Sequence, residues 1–163
     1  MSRRERTIAF LQQLASRVLS QVQAGQLPEL RVPTRALSNV TYDPSHGYFE
    51  LGPQVKQRGL TVHAARTFAQ TLKMMALSRE LAEGDDFATK REAYYISKNW
   101  GDCRFDGQDE SDGIMSDLEA MAAAEDITRE QLGFYPEAHG GAIVGQLTVI
   151  DHSDPRQPVR IDC

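Results

Sequence analysis

The stretch Gly140-Gly141-Ala142-Ile143-Val144-Gly145-Gln146-Leu147-Thr148-Val149-Ile150 is followed, after His152-Ser153-Asp154-Pro155-Arg156-Gln157-Pro158, by Val159-Arg160-Ile161-Asp162-Cys163. Its pattern differs from that of the residues before it. Upstream, apolar residues recur every three or four positions; here Ile143, Leu147 and Val149 face one way and Val144, Thr148 and Ile150 the other. Alternation on both sides of a proline-containing turn predicts a terminal β-hairpin. The second strand runs to Cys163 on an apolar position, and the expectation is that these 163 residues are the front of a longer polypeptide.

Working upstream, Thr128 and Gln131 stand three apart as a capping pair and predict a short helix stopped by Gly133. Ile114, Leu118 and Met121 predict another from Ser111 to Ala124. The run Thr89-Lys90-Arg91-Glu92 has capping-box spacing, so a helix opens at Lys90, passes through Tyr94-Tyr95-Ile96-Ser97 and ends at Asn99-Trp100-Gly101. From Thr61 to Glu83, Ala65, Phe68, Leu72 and Met75 occupy one face and Met74, Leu77 and Leu81 an adjoining one. So wide an apolar surface predicts a buried core helix.

Between Leu27 and Gly52, Pro28, Pro33 and Pro44 oppose helix formation, and Val40-Thr41-Tyr42 is separated from Tyr48-Phe49-Glu50-Leu51 by Asp43-Pro44-Ser45-His46-Gly47. That is a hairpin with His46 as a solvated turn residue. At the start, Ile8, Leu11, Ala15, Val18 and Val22 form one helical stripe, widened by Leu14 and Leu19 and ended by Gly25. Such a helix either packs on its own domain or docks on a partner. Helices before a terminal two-stranded hairpin outline a winged helix. The predicted class is therefore α+β, with residues 1–26 as an N-terminal amphipathic helical arm and 27–163 as the winged-helix domain.

The composition, 40% hydrophobic and 25% charged, excludes a collagen-like or wholly disordered chain. No apolar run reaches the roughly 18 residues of a membrane span, and Gln12, Gln13 and Arg17 interrupt any signal-peptide core. No membrane partner is expected, and the expected location is intracellular, cytoplasmic or nucleoid-associated. Cys103 and Cys163 are too far apart in sequence to suggest a disulfide framework or a thiolate zinc site. Net charge is −5, distributed as +4 over residues 1–40, +1 over 41–84 and −10 over 85–163. Bulk charge therefore cannot drive nucleic-acid binding, which would need a local site.

On the helix opening at Lys90, Arg91 and Tyr95 are four apart and share a face. A tyrosine can attack phosphorus to form a phosphotyrosyl ester. A free phenol, with a pKa of roughly 10, needs a base, a metal or a cation to do so at neutral pH. Arg91 can supply a cation that also holds a scissile phosphate. Alternatively, an Arg and a Tyr at this spacing are ordinary surface packing. No Walker-type loop is present, and His63, His139 and His152 lack the close pairing of metal ligands, so no metal-ligating set is assigned. Glu110, Asp112, Asp117 and Glu119 read as a solvated helix face.

Lys90-Arg91-Glu92-Ala93-Tyr94-Tyr95-Ile96-Ser97-Lys98-Asn99-Trp100, then Arg104-Phe105-Asp106, Glu110-Ser111-Asp112, Asp117-Leu118-Glu119-Ala120-Met121, Leu132-Gly133-Phe134 and Gly140-Gly141, resemble the A-subunit family of DNA topoisomerase VI. Upstream, Val32-Pro33-Thr34-Arg35 and Ser38-Asn39-Val40 extend the resemblance, which covers the chain from about Leu27 to Cys163. It departs at Ala93, smaller than the branched aliphatic often found there, and at Glu92, where many relatives have Asp.

The resemblance implies a CAP-like winged-helix DNA-binding domain from an ATP-dependent type IIB topoisomerase, related to the meiotic double-strand-break transesterase. Tyr95 would be the nucleophile, Arg91 its assistant and Tyr94 a neighbouring support. Lys90, Lys98 and Arg104 are candidates for DNA contacts. Family members continue into a Toprim domain that binds Mg2+, of which nothing is visible in this sequence, so the chain alone is expected to be inactive. ATP would be bound by the B subunit, docked on Ile8, Leu11, Ala15, Val18 and Val22. The implied assembly is an A-subunit homodimer within an A2B2 heterotetramer acting on double-stranded DNA, to relax supercoils or decatenate. Two other readings remain open: a non-catalytic winged-helix module binding DNA or a partner, and a helical scaffold docked on an ATPase.

Overall fold

The computed structural model describes residues 2–136, 148–151 and 159–162. Its first helix, α1 (Arg3–Gln23), starts where Ser2 Oγ accepts from the Glu5 amide and the Glu5 carboxylate accepts from the Ser2 amide. The inward face is Thr7, Phe10, Leu11, Leu14 and Val18, packed against α2 (Ala65–Gly84). Of the two roles left open for this helix, packing on its own domain is the one seen. It is part of the core, and the predicted stripe is rotated: Phe10 and Leu14 take positions at its centre, while Ala15, Leu19 and Val22 are exposed.

Strand β1 (Glu29–Pro33) leads through a short 3-10 turn to β2 (Val40–Asp43), and β2 pairs with β3 (Tyr48–Leu51) in the predicted hairpin. The next strand, β4 (Val55–Gly59), was not anticipated. Its sequence is largely polar, but it pairs antiparallel with β1 while Leu30 and Val32 are buried beneath. Helix α2 begins four residues later than its periodicity suggests. Thr61 Oγ1 instead accepts from the Ala64 amide at 3.2 Å and holds a turn.

Strand β5 (Ala88–Thr89) runs directly into α3 (Lys90–Ile96), and two 3-10 turns join this to α4 (Gln108–Ala123). Thr128 and Gln131 make their reciprocal hydrogen bonds as spaced, yet no helix follows. Only four residues separate Thr128 from Gly133, and the Phe134 amide returns to the Arg129 carbonyl at 3.1 Å. Gly133, at φ 85°, turns the chain into β6 (Phe134–Tyr135), which lies parallel to β5. A Cβ there would stand 2.7 Å from Leu81 Cβ, so only glycine fits.

The last strands, β7 (Thr148–Asp151) and β8 (Val159–Asp162), pair antiparallel with Thr148 opposite Asp162. The predicted positions Ile143, Val144 and Leu147 and the turn 152–158 lie outside the described residues. The architecture is mixed helix and strand, α+β. Its core joins α1, α2, α4 and β1 around Phe68, Met74, Met115, Leu118, Phe105 and Phe134. Among the described residues, no helix is long and apolar enough to cross a membrane.

Candidate functional site

Helix α3 is only seven residues long, below the length at which an isolated helix holds in water, so its ends and its packing must stabilise it. At its start the Glu92 amide donates to Thr89 Oγ1 at 3.1 Å and the Thr89 amide donates to Glu92 Oε2 at 2.7 Å. Ala93 is fully buried, toward α4. That small side chain lets the two helices approach, and the helical step of about 100° per residue carries the next two residues outward by different amounts. Tyr94 is half-buried; Tyr95 is 53% exposed.

Arg91 and Tyr95 meet on the outer face as their spacing predicts. Arg91 Nε donates to Tyr95 Oη at 3.3 Å, and the guanidinium carbon lies 5.8 Å from the ring centroid. A cationic N–H directed at a phenol oxygen places positive charge beside the atom that would attack phosphorus. The same guanidinium can engage a phosphate brought to that oxygen. Tyr94 is held differently: its ring lies 5.5 Å from that of Tyr95, its hydroxyl donates to the Asp106 carbonyl at 3.4 Å, and Lys98 Nζ sits 4.0 Å from its centroid.

The loop 104–106 supports this face, a role invisible in its sequence. Lys98 Nζ donates to the Phe105 carbonyl at 2.7 Å, and the Phe105 amide donates to Ser97 Oγ at 3.3 Å. From α2, Arg66 reaches both the Asp106 carboxylate and the Arg104 carbonyl, each at 2.7 Å. Buried Gln70, four residues on, donates to the Arg104 carbonyl and to Glu110. The hydrogen bond from Arg66 holds the Asp106 carboxyl below its ordinary pKa, and Asp106 correspondingly raises that of Arg66. The one available sequence signal was the i, i+4 spacing of Arg66 and Gln70, which places the two polar side chains on one face of α2.

The candidate DNA contacts fare unequally. Lys98 spends its ammonium on the Phe105 carbonyl and the Tyr94 ring, and Lys90 lies 3.6 Å from Asp112. Arg104 is exposed while its carbonyl is anchored. Of the partner-docking candidates, Leu11 and Val18 are buried in the core, Ile8 is half-buried, and Ala15 and Val22 are exposed.

The acids read as a solvated face are tethers instead. Asp117 accepts from Lys56 at 2.6 Å and from Arg58 at 2.7 Å, Glu119 bonds Arg129 and Arg35, and Glu110 accepts from Gln70 and from the Asp106 amide. Burial raises the Glu119 pKa, but the bonds from Arg129 and Arg35 outweigh it and leave it lowered. Each carboxylate ties α4 to a neighbouring segment. Among the described residues, no group of three metal-ligating side chains gathers around α3.

A model of the type IIB DNA topoisomerase family matches residues 66–134, which span α2, the candidate site and α4. The chain is 43% identical over 151 residues to the A subunit of type 2 DNA topoisomerase 6 from Methanocaldococcus jannaschii, covering 93% of this chain and 40% of that protein. To the proteins of the same name from Methanothermobacter thermautotrophicus and Pyrococcus abyssi it is 35% and 34% identical, over 91% and 92% of its own length and 41% and 40% of theirs. The chain thus spans about 40% of the length of these relatives.

Proposed function

We propose, from the premise that this chain belongs to the topoisomerase VI A-subunit family and corresponds to its amino-terminal region, that it carries the DNA-cleaving tyrosine of a type IIB topoisomerase. Tyr95 Oη attacks a backbone phosphorus, an O–P bond forms, and the P–O bond to one sugar breaks to leave a free hydroxyl. The reverse step reseals the strand without outside energy, because one phosphoester replaces another. The observation that carries this reading is the Arg91 Nε to Tyr95 Oη contact on an open face, beside a Tyr94 that is pinned.

The helices around α3 and the hairpin β7–β8 are read as a winged helix that seats duplex DNA, with Arg104 and Lys90 as local phosphate contacts. Two such subunits cut the two strands, and a B subunit couples passage of a second duplex to ATP. Magnesium does not fit the described residues near Tyr95, and in this reading a Toprim domain outside the 163 residues supplies it. If B docks on α1, it meets Ile8, Ala15 and Val22, since Leu11 and Val18 are taken by the core. Deleting residues 1–24 would therefore strip the core as well as the docking face.

The test is covalent chemistry in the A2B2 holoenzyme with supercoiled DNA and Mg2+. Tyr95→Phe is expected to abolish the protein–DNA adduct and Tyr94→Phe to leave part of it. An adduct that survives in Tyr95→Phe overturns the assignment of the nucleophile, and absence of any adduct in the unsubstituted holoenzyme favours a module that binds without cutting.

A further inference from the structure

We propose that Asp43, His46 and Glu50 form a binding site for a first-row divalent cation of borderline softness, Zn2+ in the first instance, which staples the tip of the β2–β3 hairpin. This site is remote in sequence from Tyr95 and does not depend on the transesterase reading.

In the register of this hairpin Thr41 stands opposite Glu50 and Asp43 opposite Tyr48. Glu50 is two residues beyond Tyr48, so the pleat returns its side chain to the face that Asp43 occupies. The turn between the strands carries His46 back over the same spot, where Nδ1 contacts Asp43 Oδ2. One ligand atom from each of the three residues lies within 4.8 Å of the other two. Zinc bonds of about 2.0–2.2 Å place tetrahedral neighbours roughly 3.4 Å apart, so an ion that enters opens the His46–Asp43 contact and draws in the exposed Glu50 side chain.

Part of the site is already oriented. The Ser45 amide and hydroxyl donate to Asp43 Oδ1 at 2.8 and 2.6 Å, which leaves Oδ2 turned toward His46. The His46 ring is further steadied by Tyr48, 5.5 Å away between centroids. One imidazole nitrogen with two carboxylates suits zinc or cobalt better than calcium or magnesium, which favour oxygen alone. Two carboxylates also neutralise the dication.

The state of the hairpin supplies an independent argument. Neither strand contains a buried residue, and Tyr42, Tyr48 and Phe49 are all more than half exposed. Its base is secured by Asn39, whose amide nitrogen donates to the Thr34 and Gln54 carbonyls and whose side-chain oxygen accepts from the Gln54 amide. The tip has its turn bonds and two ring contacts, Tyr42–Phe49 at 5.2 Å and His46–Tyr48 at 5.5 Å. A two-stranded hairpin without a buried face is marginal in water, and a metal that bridges the turn to both strands is a recognised remedy in small folds.

The experiment strips the 163-residue chain with chelator and titrates it with ZnCl2 by calorimetry and CoCl2 by visible absorption, with amide exchange followed in parallel. Expected are one equivalent bound, at least tenfold weaker binding in both His46→Ala and Glu50→Gln, and unchanged binding in His63→Ala and Cys103→Ser. Amides of 40–51 should exchange several-fold more slowly with Zn2+, those of β1 and β4 at the same rate. Glu50 takes no part in the turn bonds, so Glu50→Gln decides the matter if His46→Ala disturbs the turn. Absence of saturable binding, binding undiminished in Glu50→Gln, or uptake lost in the His63 or Cys103 variant overturns the proposal.

Discussion

Helix α3 and the hairpin β2–β3 are both short, both carry two or more aromatic rings, and both present polar chemistry to solvent, yet they are held in opposite ways. Every side of α3 but one is fastened: Thr89 and Glu92 close its start, Ala93 is buried toward α4, and Lys98, Ser97 and Arg66 grip the loop behind it. What remains exposed is the face with Arg91 and Tyr95. The hairpin has its base clamped by Asn39 and its rings in water. A reactive side chain must be accessible and yet positioned, and only a locally over-determined backbone meets both demands. The hairpin has access without that support, which is why its tip can accept an added ligand.

The largest expected break in this contrast comes from Phe105→Ala. Phe105 is fully buried, edge-on to Trp100 at 5.5 Å, and its amide and carbonyl both serve the site. Truncation should cost about 3–5 kcal/mol in denaturant unfolding and loosen α3 with it. Next is Thr89→Ala, which removes the cap from a seven-residue helix. It should cost about 1 kcal/mol, read as lost amide protection over 90–96 before global unfolding. The smallest is Phe49→Ala in the metal-free hairpin, where the ring is 71% exposed. Its cost should stay within about 0.5 kcal/mol. A penalty for Phe49→Ala equal to that for Phe105→Ala would mean the hairpin is covered in solution and that the contrast is wrong.

Much of the candidate site was legible because it is local. The capping box at Thr89, the i, i+4 meeting of Arg91 with Tyr95, and the pairing of 40–43 with 48–51 depend on residues close in sequence. What escaped notice depends on segments that meet only after folding. Arg58 finds Asp117 across 59 residues and Arg66 finds Asp106 across 40, so α4 could be seen as helical but its acids could not be seen as tethers. In the same way β4 is a strand because β1 lies beside it, and its own polar residues do not announce one.

The order of residues alone therefore determined where α3 begins, which of its side chains share a face, and that Tyr95 has a cation one turn before it. Only the tertiary structure decided that Tyr94 is pinned while Tyr95 is open, that Lys98 serves a carbonyl, and that Leu11 and Val18 lie in the core. Periodicity places a side chain on a face, but burial and hydrogen bonding depend on what the rest of the chain brings to that face.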